Sequence, residues 1–203
     1  MRAIVVDIVP KDVPAEELEH RLAEIDSLVR TYSGVVVVEY VQKRDTADYR
    51  TFVGSGKLDE MLSVAGELKA DVLIIGNILK PAQLYNISEE IRKRKLEIQA
   101  WDRVDLILKI FADHAKTPES KLQIELASIR HMGPRIFGMG MELSRQGAGI
   151  GTRGIGETNT ERMRRHLRER EQGIRRELAK YVRTRTLQRD RRRRDQFATF
   201  GIV

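Results

Sequence analysis

The chain has 203 residues, 41% hydrophobic and 33% charged, with a formal net charge of +7. This suffices for one or two domains with a core, and no apolar run is long enough to span a bilayer. Cysteine is absent, which excludes disulfides and thiolate metal sites and suits a cytoplasmic protein.

The first half alternates strand and helix patterns. Arg2–Val9 reads as an apolar strand. Residues 14–30 read as a helix, because Pro14 fits a first turn and Leu18, Leu22, Ile25 and Val29 recur at helical spacing. Gly34–Val41 contains four consecutive valines and is expected to be a strand buried on both faces. A polar stretch, 42–50, follows. Ser55–Lys69 is helical, with Leu58, Met61, Leu62 and Ala65 on one face. Then come a strand at Val72–Ile75, a helix from Pro81 to Lys93, a strand at Leu96–Trp101 and a helix at Val104–Phe111. Apolar strands separated by amphipathic helices predict a parallel sheet covered on both faces.

The second half reads as helix and loop. Residues 122, 126, 129, 133, 136, 140 and 143 step by four and three, a coiled-coil-like seam in which Gly133 and Gly140 leave room for another backbone. Pro134 should bend or interrupt that helix. Glycines then cluster at 147, 149, 151, 154 and 156, with Arg145 and Arg153 among them. Gly149-Ile-Gly151-Thr-Arg-Gly154 matches G-x-G-x-x-G, but the dinucleotide fingerprint needs a preceding strand and an acidic residue about 20 positions later. Here a helical pattern precedes and the downstream region is basic. A connection longer than the usual two to eight or so residues between helices is more often functional than a plain turn. A second helix should begin near Glu157, with Met163, Leu167, Ile174, Leu178 and Tyr181 on its seam. It carries 14 arginines between Arg162 and Arg194. Some can pair with acids one turn away, as in Glu161–Arg165 and Glu171–Arg175, but the excess points to a nucleic-acid-facing surface.

Charge divides the same way. Residues 121–203 carry +11 and residues 1–120 carry −4, which assigns polyanion binding to the second unit. The predicted fold class is therefore α/β: a small parallel-sheet α/β subdomain over 1–115, then a basic antiparallel two-helix hairpin over 116–195 with its Gly-rich loop at 145–156. The four histidines, 20, 114, 131 and 166, show no ligand spacing and read as structural or solvated, so no metal site is expected. The apolar run from Phe197 to Val203 reads as the start of a further strand.

Several blocks carry a family resemblance: Phe52-Val-Gly-Ser-Gly-Lys57, Trp101-Asp-Arg103 with Ile107 and Ile110-Phe-Ala112, and Glu119-Ser-Lys-Leu-Gln-Ile-Glu-Leu-Ala127. The most specific block is Leu143-Ser-Arg-Gln-Gly-Ala-Gly-Ile-Gly-Thr-Arg-Gly-Ile-Gly-Glu-Thr158. Over nearly its whole length the chain resembles the amino-terminal region of the HflX GTPases; its first 50 residues match only in pattern. The resemblance implies an α/β subdomain and a helical hairpin followed by a P-loop GTPase domain, whose first strand would start at 196–203. It implies a cytoplasmic parent that uses GTP and Mg2+, binds the large ribosomal subunit and its rRNA, and splits stalled ribosomes. By position, the RNA-contacting residues would be Arg145, Gln146, Gly147, Gly149, Gly151, Arg153, Gly154 and Gly156. Arg162, Arg164 and Arg165 would follow from the basic helix. The chain itself has no G-x-x-x-x-G-K-[ST], so it is not expected to act as a GTPase or to hold a cofactor.

Two rival functions remain open from the residues. Gly54, Gly56 and Lys57 open a helix and form a weak candidate nucleotide loop, which would make the chain an ATP-binding domain with weak hydrolase activity. Thr51 and Leu58 depart from the Walker pattern there, and Ser55 following Gly54 also reads as an ordinary helix start. Alternatively the arginines serve a coiled-coil adaptor that grips acidic proteins.

Overall fold

A computed structural model describes residues 1–146 and 153–197, with side chains for all of these except 132 and 134–160. The elements are β1 (Arg2–Val9), α1 (Ala15–Thr31), β2 (Val35–Lys43), α2 (Ser55–Glu67), β3 (Val72–Ile75), α3 (Pro81–Lys93), β4 (Gln99–Asp102), α4 (Arg103–His114), α5 (Pro118–Gln146) and α6 (Arg153–Arg194). The strands form one parallel sheet in the order β2-β1-β3-β4.

Strand alternation builds two apolar layers. Ile4, Val6, Leu73 and Ile75 face one way and meet Leu58, Leu62, Leu84 and Ile87 of α2 and α3. Ala3, Val5, Val72 and Ile74 face the other way and meet Ile25 and Val29 of α1 and Leu106 of α4. Successive side chains of a strand point to opposite faces, so these continuous apolar runs serve both layers.

Two strand expectations change. The four-valine strand runs Val35–Lys43 and is only half-buried, with Val35 55% exposed. It lies at the edge of the sheet and pairs with β1 alone, so burial on both faces fails. The last strand is shorter than the apolar pattern suggested, Gln99–Asp102, because only these residues reach β3.

The helical half differs more. Pro118–Gln146 is one helix, uninterrupted across Pro134. The next helix starts at Arg153, not near Glu157, so residues 153–156 are helical. Arg145 and Gln146 likewise close α5. Only 147–152 lie between the two described helices, so the expected loop at 145–156 is shorter. Gly147, Gly149 and Gly151 fall there, outside the described residues, as does the expected strand from 198 onward.

α5 packs on α3 and α4 and pairs with α6. Ile174 is fully buried and anchors α6. Other seam residues are less enclosed: Met163 is 42% exposed. A Cβ added at Gly133 would meet Leu167 Cδ1 at 3.8 Å, an ordinary contact, so the small residue is not forced by close backbone approach.

Candidate nucleic-acid interface

Two groups stand out among the arginines of α6 by the face they occupy. Arg170 grips Glu125 of α5 with two hydrogen bonds, 2.6 and 2.7 Å, and its guanidinium pKa is raised by them. Arg185 pairs with Glu119 at the other end of α5. Glu171 of α6 accepts from Arg175 and from Arg130 of α5, which lowers its pKa in that order of effect. These pairs flank Ile174 and hold the hairpin together. The second group is Arg162, Arg165, Arg176 and Arg183, which have no carboxylate within 4.0 Å among the described residues. At 3.6 residues per turn they fall within about 60° of one another, opposite Ile174. A row of unpaired guanidiniums on the solvent side of a long helix is the geometry that contacts successive phosphates.

Arg164 belongs to neither group, being half-buried and partnered. Arg145, Gln146, Arg153, Gly154 and Gly156 have helical backbone at the facing ends of α5 and α6. The structure thus places five of the expected contact positions at the hairpin's far end and three on or beside the arginine row.

One cluster was not legible from spacing. Asp102 ends β4 and caps α4, accepting from Asp105 N at 2.9 Å, while Asp105 accepts from Asp102 N at 3.1 Å. His131 of α5 reaches into this box, its Nε2 lying 3.0 Å from Asp102 Oδ1 and 3.5 Å from Asp105 Oδ1. Asp102 also accepts from Leu79 N at 3.2 Å and is fully buried. The ligand-type atoms of the three residues lie within 4.8 Å of one another, close enough for a cation. Their hydrogen bonds instead tie α4, the β3–α3 connection and α5 together, which sets the direction of the hairpin. The only sequence signal was Asp102 three residues before Asp105, a capping pattern.

At the candidate nucleotide loop, Gly54 is the N-cap of α2 and its N–H donates to Gln42 Oε1 at 2.9 Å. Lys57 pairs with Glu60 at 2.8 Å and lies 4.8 Å from the centroid of the Tyr40 ring. A Cβ at Gly56 would meet nothing within 4 Å. The lysine is thus engaged by Glu60 and Tyr40 at the partly exposed surface of the fold. The crevice where strand order reverses, between β1 and β3, is the usual ligand position in such sheets. Here Asn77 bridges the strand ends, bonding to both the N–H and the carbonyl of Ile8 at 3.0 and 2.9 Å. Beside it buried Asp7 takes a two-pronged contact from Arg21, which raises the arginine's pKa.

A family model described as GTP-binding GTPase N-terminal matches residues 19–112, and one described as GTP-binding GTPase Middle Region matches 114–192. A GTPase HflX of Alkalihalophilus pseudofirmus is 42% identical over 188 residues, covering 93% of this chain and 43% of the relative. The chain belongs to the HflX GTPase family. The Escherichia coli GTPase HflX is 37% identical over 183 residues, covering 90% of this chain and 42% of that protein. The chain thus spans less than half the length of these HflX relatives. Among solved structures, SsGBP in complex with GDP aligns with a TM-score of 0.62 at 22% identity, covering 92% of this chain and 46% of that one, a likeness of fold. A GTP-binding protein of Sulfolobus solfataricus in complex with GDP gives 0.52 at 24%, covering 83% and 45%. No helix among the described residues is long and apolar enough to cross a membrane.

Proposed function

We propose that this chain is the ribosome-facing part of an HflX-type translational GTPase. Residues 1–115 form a base, and the hairpin of 116–195 carries the contact to large-subunit rRNA. The observation that carries this reading is the row Arg162, Arg165, Arg176 and Arg183, unpaired on the face opposite Ile174 while Arg170 and Arg185 are neutralised by carboxylates of α5. Phosphates would neutralise that row with release of counterions. The far end of the hairpin, from Arg145 to Gly156, would reach into the RNA, with Arg145 and Arg153 supplying planar, forked contacts. GTP and Mg2+ would be handled by the further domain of the longer relatives, in the cytoplasm. GTP turnover and ribosome splitting then belong to the whole protein, and this chain contributes binding and aim.

The test is sedimentation of the chain with purified large ribosomal subunits across a salt series. Co-sedimentation that weakens steeply with salt is expected. Residues 1–115 binding as well as the whole chain would overturn the reading.

A further inference from the structure

The connection between β2 and α2 is held unusually firmly around one exposed ring. Asp48 Oδ1 accepts from the N–H groups of Arg50 and Thr51 at 2.8 and 2.9 Å. The Thr51 N–H in particular holds the Asp48 carboxyl below the usual aspartate range. Asp48 and Phe52 exchange both backbone hydrogen bonds, at 2.9 and 3.0 Å. From α3, Gln83 Nε2 donates to the carbonyls of Asp48 and Tyr49 at 3.0 and 3.4 Å, and Asn86 Nδ2 donates to the carbonyl of Arg50 at 2.8 Å. Phe52 is kept at φ 66°, a left-handed conformation that a non-glycine residue adopts only where its surroundings impose it. Yet Tyr49, at the tip, is 91% exposed. The fold orders a loop whose largest side chain buries nothing in return. An aromatic ring on a pre-ordered backbone loses little entropy when it binds, which makes it a ready anchor.

The position of the loop says what it faces. Tyr49 follows β2 and therefore lies on the rim formed by the carboxyl ends of the strands. Ile78, 66% exposed, and Lys80 follow β3 on the same rim. Arg44 and Lys80 have no carboxylate within 4.0 Å among the described residues. His131 meets Asp102 at the end of β4, also on this rim. From His131, α5 continues for 15 more residues to Gln146, about 22 Å at 1.5 Å per residue. The hairpin therefore projects from the side of the α/β unit that displays Tyr49, and a surface that receives its far end also lies before the rim.

We infer that Tyr49 is a second contact to the same RNA, its ring stacking on an exposed base while Arg44 and Lys80 meet the flanking phosphates. This rests on the large-subunit reading above. Stacking on an aromatic ring tolerates any base, whereas the row Arg162, Arg165, Arg176 and Arg183 on α6 reads only charge. The two contacts therefore differ in their response to salt.

Purified large ribosomal subunits are titrated with the labelled chain and with three variants: Tyr49→Ala, Tyr49→Phe, and Arg176→Ala combined with Arg183→Ala. Thermal melting checks that each is folded. Tyr49→Ala is expected to bind about tenfold more weakly with the slope of log affinity on log salt unchanged, and Tyr49→Phe to bind like the parent. The arginine variant should lower the slope. Parent-like binding by Tyr49→Ala, with binding lost in the arginine variant, overturns the rim contact and leaves the hairpin reading standing. No binding by the parent chain overturns the large-subunit reading, and this inference with it. A Tyr49→Ala defect seen on subunits but absent on protein-free large-subunit RNA shows that the ring docks on protein, and overturns the stacking.

Discussion

His131 Nε2 stands 3.0 Å from Asp102 Oδ1, a contact between residues 29 positions apart that joins α5 to the start of α4. Asp102 does more than hold the histidine, since its carboxylate also accepts the N–H groups of Asp105 and Leu79. Asp102→Ala should therefore cost about 2–4 kcal/mol, from two buried donors left without partners, the capping N–H of Asp105 and the N–H of Leu79. His131→Leu removes only the link to α5 and should cost less, while speeding hydrogen exchange in the first turn of α4. Denaturant unfolding with amide exchange measures both. Equal losses would mean that the hairpin contact, and not capping, dominates the cluster.

The two groups of arginines on α6 make opposite predictions. Arg170→Ala breaks a two-pronged grip on Glu125 and should lower the melting temperature while leaving the salt dependence of RNA binding unchanged. Arg176→Ala should leave melting unchanged and reduce the salt slope by about one, the value for one phosphate contact. If both variants shift the slope equally, the face of the helix does not matter and the row opposite Ile174 has no special role.

Two glycines should respond to alanine with opposite sign. A Cβ at Gly173, inside α6, meets nothing within 4 Å, so Gly173→Ala should stabilise the chain by about 0.5–1 kcal/mol through helix propensity. At Gly76 a Cβ would fall 2.4 Å from Ile25 Cδ1 and 3.0 Å from Asp7 Oδ1. Gly76→Ala should destabilise by about 1–3 kcal/mol, as overpacking does. Melting curves of the pair decide it, and the same sign for both would contradict this account of the packing around Asp7.

The Asp48 carboxylate gives the rim loop a dependence on acid. Its pKa is depressed in the folded chain, first by the Thr51 N–H and then by that of Arg50. A depressed carboxyl stabilises fully above its unfolded value near pH 4, and that stability is lost as pH falls through the lower folded value. Amide exchange at Arg50 and Thr51 should accelerate below about pH 4, relative to the rest of the sheet. Asp48→Asn, which cannot titrate, should show no such step. A step of equal size in both proteins would assign the transition to other groups.

Much of this architecture was written in local patterns. The periodicity of Leu58, Met61, Leu62 and Ala65 placed α2 from Ser55, and Pro81 marked the start of α3, since helical spacing and proline geometry act over a few residues. The charge split between the halves and the basic character of 162–194 followed from composition alone. The valine run gave a strand but not its place, because edge or centre depends on which strands pair, and β2 pairs only with β1. Spacing suggested that Glu171 and Arg175 would meet, but not that Arg170 would reach back to Glu125 or that Arg176 would stay unpaired. Nor could spacing bring His131 to Asp102. The sequence by itself determined which segments are helices and strands and where the positive charge resides, because those depend on neighbours along the chain. Only the tertiary structure decided which arginines are spent on the fold and which face outward, because that depends on which face of α6 Ile174 buries against the rest of the molecule.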